Sequence, residues 1–184
     1  MRRLAVLAGA ALLAACGSSG PQQMSDWERQ HPELLATAET LKPPAPPPLP
    51  RPENLIEFYL APTASLRYFI DSASLTTLYR QKEVRYVLVA RSASGVENVS
   101  YEAIRCTGEH RLIATLNANR TWNMKGSEWR DIPRQTDLST PSMLKRWYFC
   151  PHNDPIQSSA EGVDALRKGG HPMVYLPENY NRRD

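Results

Sequence analysis

The chain has no apolar run long enough to cross a bilayer. Its longest, residues 4–13, would rise only about 15 Å as a helix, whereas a span needs about 20 residues. It also lacks the short motifs that advertise chemistry: H-E-x-x-H, a P-loop, G-x-G-x-x-G and C-x-x-C are all missing. Cysteine is scarce, with three in all, and Cys150-Pro151-His152 lacks the second cysteine of a c-type haem attachment, so no cofactor is indicated. No G-x-S-x-G elbow surrounds Ser72 or Ser74. There is little excess of one charge: 22 Lys+Arg face 19 Asp+Glu, and Arg2 and Arg3 account for much of the surplus. Nucleic acid is therefore not an expected partner, because phosphate binding needs a clustered basic surface. No internal repeat is visible.

What is there begins at the amino terminus. Arg2 and Arg3, the apolar residues 4–13 and then Ala14-Ala15-Cys16 resemble a bacterial lipoprotein signal, cleaved before a cysteine that carries lipid. Cys16 is the lipidation candidate and would be the first residue of the mature chain. An ordinary cleaved secretory signal is the alternative, since Ala8-Gly9-Ala10 also offers small residues at suitable spacing. Several acyl chains together anchor stably, at about 0.8 kcal/mol per buried methylene. Gly17 and Ser18, with no acidic residue beside the lipid, point by analogy to the periplasmic face of the outer membrane.

With Cys16 assigned to lipid, Cys106 and Cys150 remain, and an oxidising compartment favours a disulfide between them. The alternative is a zinc site in which His110 and His152 join the two thiolates. Its spacing matches no familiar finger, so no metal is assigned.

The sequence divides into a signal at residues 1–15, a tether at 16–53 and one globular domain at 54–184. Within the tether, residues 32–42 have helical periodicity, with Leu34, Leu35, Ala38 and Leu41 on one face. Seven of the ten residues 43–52 are proline, which enforces an extended rod of about 30 Å. The domain is expected to be α+β and mainly β: an antiparallel sheet of five to seven short strands with one C-terminal helix. Strands are expected over 55–60 and 66–70, with a turn at Asp71-Ser72-Ala73-Ser74. Residues 83–91 carry apolar side chains on both faces, as a central strand does, and 96–106 return antiparallel to them. Further strands are expected at 111–116, 120–122, 129–132 and 145–150. Ser158-Ser159-Ala160-Glu161 has capping-box spacing ahead of a helix that Gly169-Gly170 end, and residues 171–184 form a tail.

The run Asn98-Val99-Ser100-Tyr101-Glu102-Ala103-Ile104-Arg105-Cys106 resembles the cryptic neisserial protein one-like family of proteobacterial lipoproteins. Val84-Arg85-Tyr86, Trp129-Arg130, Tyr148-Phe149-Cys150, Ala165-Leu166-Arg167 and Gly169-Gly170-His171 agree in order. The resemblance spans about residues 54–172 and implies a cell-envelope location with no established activity. Glycine often stands in that family where Ala103 stands here.

Three classes of function follow. The first is a non-enzymatic module, held to the membrane by its lipid, that binds an envelope protein or cell-wall partner. The second is an enzyme acting on envelope polymers; no catalytic residue is assigned to it. The third is the zinc protein. Trp122, Trp129 and Trp147 suit sugar stacking, but tryptophan in a small domain is first a packing residue. Glu102 and Arg105 fall on opposite faces of one strand, so each is expected to pair with another strand. The sequence sets no oligomeric state.

Overall fold

The structure, a computed structural model, describes residues 45–133 and 138–174. The signal, Cys16 and the helix expected at 32–42 lie outside the described residues, as does the tail from residue 175. Among the described residues no helix is long and apolar enough to cross a membrane.

Seven strands make one antiparallel sheet: β1 (Leu55–Phe58), β2 (Arg67–Leu78), β3 (Glu83–Arg91), β4 (Glu97–Arg105), β5 (Glu109–Leu116), β6 (Trp122–Asn123) and β7 (Arg130–Asp131). They pair in sequence order up to β6, and β7 takes the other end of β5 on the same edge. A meander of this kind needs only short turns. Ser92–Gly95 supplies one, with Gly95 at φ +84° and its N–H bonded to the Ser92 carbonyl. Helix α1 (Thr140–Leu144) begins with Pro141 in its first turn, where a missing N–H costs nothing. It continues as a π-helical turn over Lys145–Phe149, closed by the Cys150 N–H bonding the Lys145 carbonyl. Helix α2 (Ser159–Arg167) is capped as its sequence spacing predicts. Ser158 Oγ accepts from the Glu161 N–H, and the Glu161 carboxylate reaches back to the Gln157 N–H.

Both helices lie on one face of the sheet. Val84, Tyr86 and Leu88 of β3 point to that side and share a core with Ile70, Leu144, Tyr148, Phe149, Ile156 and Leu166. The alternate residues Val87 and Val89 enter a second cluster with Phe69, Val99, Tyr101, Ala103 and Ala114. Two buried faces explain why β3 is apolar on both sides. The disulfide Cys106–Cys150 joins the end of β4 to the end of the π-helical turn, tying sheet to helices.

Two expectations need correction. Residues 71–74 are no turn: β2 runs through them with a bulge, five steps along β2 against two along β3 between Asp71 and Thr76. Ser74 makes this possible, because its hydroxyl donates to the Asp71 carbonyl and accepts from the Val87 N–H that the bulge leaves without a ladder partner. Residues 145–150 are not a strand either. Pro141 and the helical turn before them carry the chain on as helix, and the aromatics Tyr148 and Phe149 are buried against the sheet rather than paired at its edge.

The middle of the proline run 43–52 touches the domain, since Trp122 Nε1 donates to the Pro47 carbonyl at 2.9 Å.

Candidate functional site: a basic groove beside the disulfide

The turn between β2 and β3, the turn between β4 and β5, and the residues after β7 meet at one end of the sheet. α1, its π-helical extension and the segment after Cys150 close the opposite wall. They enclose a groove of about 940 Å³ with Cys106 and Cys150 in its lining. That volume lies within the range of small-molecule sites.

Three non-glycine residues in the left-handed region line this groove: Lys82 (φ 52°), His152 (φ 54°) and Asn153 (φ 65°). Such backbone is uncommon and persists only where surrounding bonds hold it. Here the Lys82 carbonyl accepts from the Cys106 N–H, the Cys150 carbonyl from Asn153, and the Pro151 carbonyl from Asp154. The disulfide pins both walls to each other. The groove is thus shaped by main chain as well as side chains.

Its charge is predominantly positive. Lys82, Lys145 and Arg146 line it, with Asp131 as the acid and His152 as a further titratable group. Lys82 is paired with Asp154 at 3.0 Å. Lys145 donates instead to a neutral acceptor, Asn153 Oδ1, at 2.9 Å. Burial first, and then the neighbouring Arg146 charge, push the Lys145 ammonium below its usual range. Ser142 and Lys145 also stand one helical turn apart, the spacing of S-x-x-K acyl-transfer enzymes. Among the described residues no hydrogen bond joins Ser142 Oγ to Lys145 or to His152, so the pair is not assembled as nucleophile and base.

The other residues singled out in the sequence are dispersed. Ser72 Oγ bonds the Asn54 carbonyl, and Ser74 fills the bulge. Glu102 faces the helices, where Tyr86 and Ser100 hydroxyls donate to it, while Arg105 lies on the opposite face near Glu83 and Glu109. The expected ion pair therefore holds for Arg105 and not for Glu102, whose partners are neutral. Arg105 and Arg111 both lie over the Trp129 ring, at 4.0 and 4.8 Å from its centroid, so cations already occupy an aromatic face that a sugar would need. Ala103 stands between Arg85 and Arg111 on the neighbouring strands and is fully buried in ordinary strand backbone. Its methyl fits that gap without the positive φ that would demand glycine.

Of the four zinc candidates, Cys106 and Cys150 are bonded to each other and hold no thiolate for a metal. His110 lies on β5, while His152 lies in the groove. Among the described residues no cluster of three or more His, Cys, Asp or Glu side chains is arranged around a common point.

The geometry defines a small α+β domain: an antiparallel meander, helices on one face, and a basic groove fixed by a disulfide. The chain belongs to the CNP1-like family, whose model matches residues 38–167. That match takes in residues 38–53, the whole sheet, the groove lining apart from Met173 and Val174, and α2. No curated protein and no solved structure matches the chain.

Proposed function

We propose that this protein is a non-enzymatic binding module of the cell envelope. Lipid on Cys16 anchors it at the periplasmic face of the outer membrane, and the groove beside Cys106–Cys150 is its contact surface for an envelope protein or cell-wall partner. The signal-like residues 1–16 and the family membership support the location. The groove supports the activity: a volume of about 940 Å³ with cations in its walls and main chain held in left-handed conformations is built to receive a ligand. Lys145, the group best placed to act as a base, donates to Asn153 rather than to a nucleophile. That favours binding over turnover.

The test is site-specific photo-crosslinking in intact envelopes. A photoreactive residue at Thr107, on the exposed rim of the groove, should give a discrete adduct, and one at exposed Lys125, outside the groove, should not. Adducts of the same kind and yield from both positions, or none from Thr107, would remove the groove from the reading.

A further inference from the structure

We propose that the sheet face opposite the helices is a polyproline-binding site, and that the chain's own residues 47–50 fill it as a ligand in cis. This site is separate from the groove and does not depend on the reading given to it.

The face is apolar and sealed, yet neither helix seals it. Val87 and Val89 of β3 are fully buried, and Val99 and Tyr101 of β4 nearly so, while α1 and α2 pack on the other side. Arg67 and Arg91 lie over Phe69. Residues 47–55 are placed to supply further cover. They start at Trp122 on β6, whose indole Nε1 donates to the Pro47 carbonyl, and end at Leu55, the first residue of β1. Both Trp122 and Leu55 pack against this cluster. Strands β1 and β6 stand at opposite ends of the pairing order, about five strand spacings or 24 Å apart. About eight residues of polyproline II helix reach roughly 25 Å, so the segment spans the sheet only by running straight across it. Ser72 Oγ, which donates to the Asn54 carbonyl, ties down the far end.

Burial along the segment has the period of that helix. With about three residues per turn, positions i and i+3 share a ridge. Ala45, Pro48 and Arg51 are exposed and form the outward ridge, whereas Pro47 and Pro50 are half-buried on one inward ridge and Leu49 on the other. Pro47-Pro48-Leu49-Pro50 is thus a P-x-x-P segment that begins at an aromatic pair, Tyr101 and Trp122, with ring centroids 6.4 Å apart. Aromatic-lined surfaces read segments of this kind. The prolyl carbonyl, free of any internal bond in this helix, is what the indole N–H takes up. Proline suits the place for a second reason: without a backbone N–H it can lie on an apolar surface and leave no donor unsatisfied.

The experiment combines Pro47→Gly, Pro48→Ser, Leu49→Gly and Pro50→Ser in the full chain purified in detergent, and titrates it with a capped peptide carrying residues 45–52. The indole N–H signals of Trp122 and Trp147 are followed by nuclear magnetic resonance. The Trp122 signal should shift saturably, and that of Trp147, which packs on the helix side, should stay. A segment of the same chain acts at an effective concentration on the order of millimolar, so the wild type should bind the peptide at least about tenfold more weakly than the variant. A peptide with alanine in place of Pro47 and Pro50 should be weaker by a similar factor. Should the variant lack the wild-type near-ultraviolet circular dichroism, the proline peptide should restore it, because a ligand of the native state stabilises that state by mass action. Absence of both saturation and restoration at millimolar peptide, an equal effect of the alanine peptide, equal affinity of wild type and variant, or a Trp122 signal that stays while Trp147 moves would overturn the proposal.

Discussion

Glu102 sits where water is scarce. Burial raises its pKa, and the hydroxyls of Ser100 and Tyr86, which donate to the carboxylate, only partly offset that. Tyr86, fully buried beside it, is raised well above the phenol range by burial and by the Glu102 charge. A carboxyl group with a raised folded-state pKa binds its proton more tightly in the native chain than in the unfolded one. Its contribution to stability is therefore complete at acid pH and is lost as pH rises through the folded-state value. Asp71 is shifted in the same direction, again chiefly by burial. Thermal melts from about pH 4 to pH 8 should show stability declining on the alkaline side of the ordinary carboxylate range. Glu102→Gln retains an acceptor for Tyr86 and should flatten the decline, leaving the share due to Asp71. An unchanged slope in the variant would show that Glu102 is not buried as an acid. Ser74 offers a sharper single-atom case. Its hydroxyl is the acceptor for the buried Val87 N–H, so Ser74→Ala should cost about 1–3 kcal/mol in chemical denaturation, against a few tenths for an exposed serine such as Ser94.

The strands show where local pattern is enough and where it fails. β3 was legible because Val84-Arg85-Tyr86-Val87-Leu88-Val89 alternates between two apolar faces, and both faces are in fact covered. The capping box of α2 was legible because its two partners are three residues apart. The bulge in β2 was not, because Asp71 and three small residues favour a turn by themselves, and only the Val87 N–H from another strand makes Ser74 a ladder substitute. Lys145–Phe149 read as a strand because Trp147, Tyr148 and Phe149 have strand preference, which the helical start at Pro141 and the burial of Tyr148 and Phe149 override. The groove was invisible for a related reason. Lys82, Thr107, Lys145 and His152 come from four separate segments, and no spacing in the chain announces that they meet. Non-local packing also sets the next expectation. The loop joining β6 to β7 folds back onto β5, with Ser127 bonding Leu112 through both its N–H and its hydroxyl. A Cβ at Gly126 would come within 2.3 Å of the Leu112 carbonyl oxygen and 2.6 Å of that of Ile113. Main chain cannot yield as a side-chain tip does, so Gly126→Ala should destabilise by about 1–3 kcal/mol. A melting temperature equal to wild type would mean that the loop is free to move away.

The disulfide and the proline run both act on the domain as a unit. Closing a loop of about 45 residues restricts the unfolded chain by about 4 kcal/mol in the chain-entropy model, a large share of the roughly 5–15 kcal/mol typical of a domain. Reduction should lower the melting temperature markedly. It should also release Pro151–Asn153 from the sheet end and abolish the Thr107 adduct, which crosslinking at a temperature where the reduced protein is still folded would register. Cys150 follows the π-helical turn directly, so the bridge positions Lys145 and Arg146 as well as stabilising the fold. The proline run acts at longer range. It is not free along its whole length, since Pro47 is bonded to Trp122, so the reach of the proposed tether would be set by the residues before Pro47. Two changes separate docking from reach. Trp122→Phe removes the bond to the Pro47 carbonyl and trims the ring that packs beside Tyr101, and should cost about 1–3 kcal/mol of stability, with crosslinking from Thr107 in intact envelopes unchanged. Deleting residues 43–46 keeps the docked Pro47 and shortens the spacer by about 12 Å of extended polyproline. Local concentration near a surface depends on whether the linker spans the gap to the partner, so that deletion should lower the Thr107 adduct yield while leaving the melting temperature within about 1 °C of wild type, because little of the packed core is touched. If the deletion leaves adduct yield intact, the partner lies within reach of a shorter tether and the run serves docking on Trp122 rather than distance.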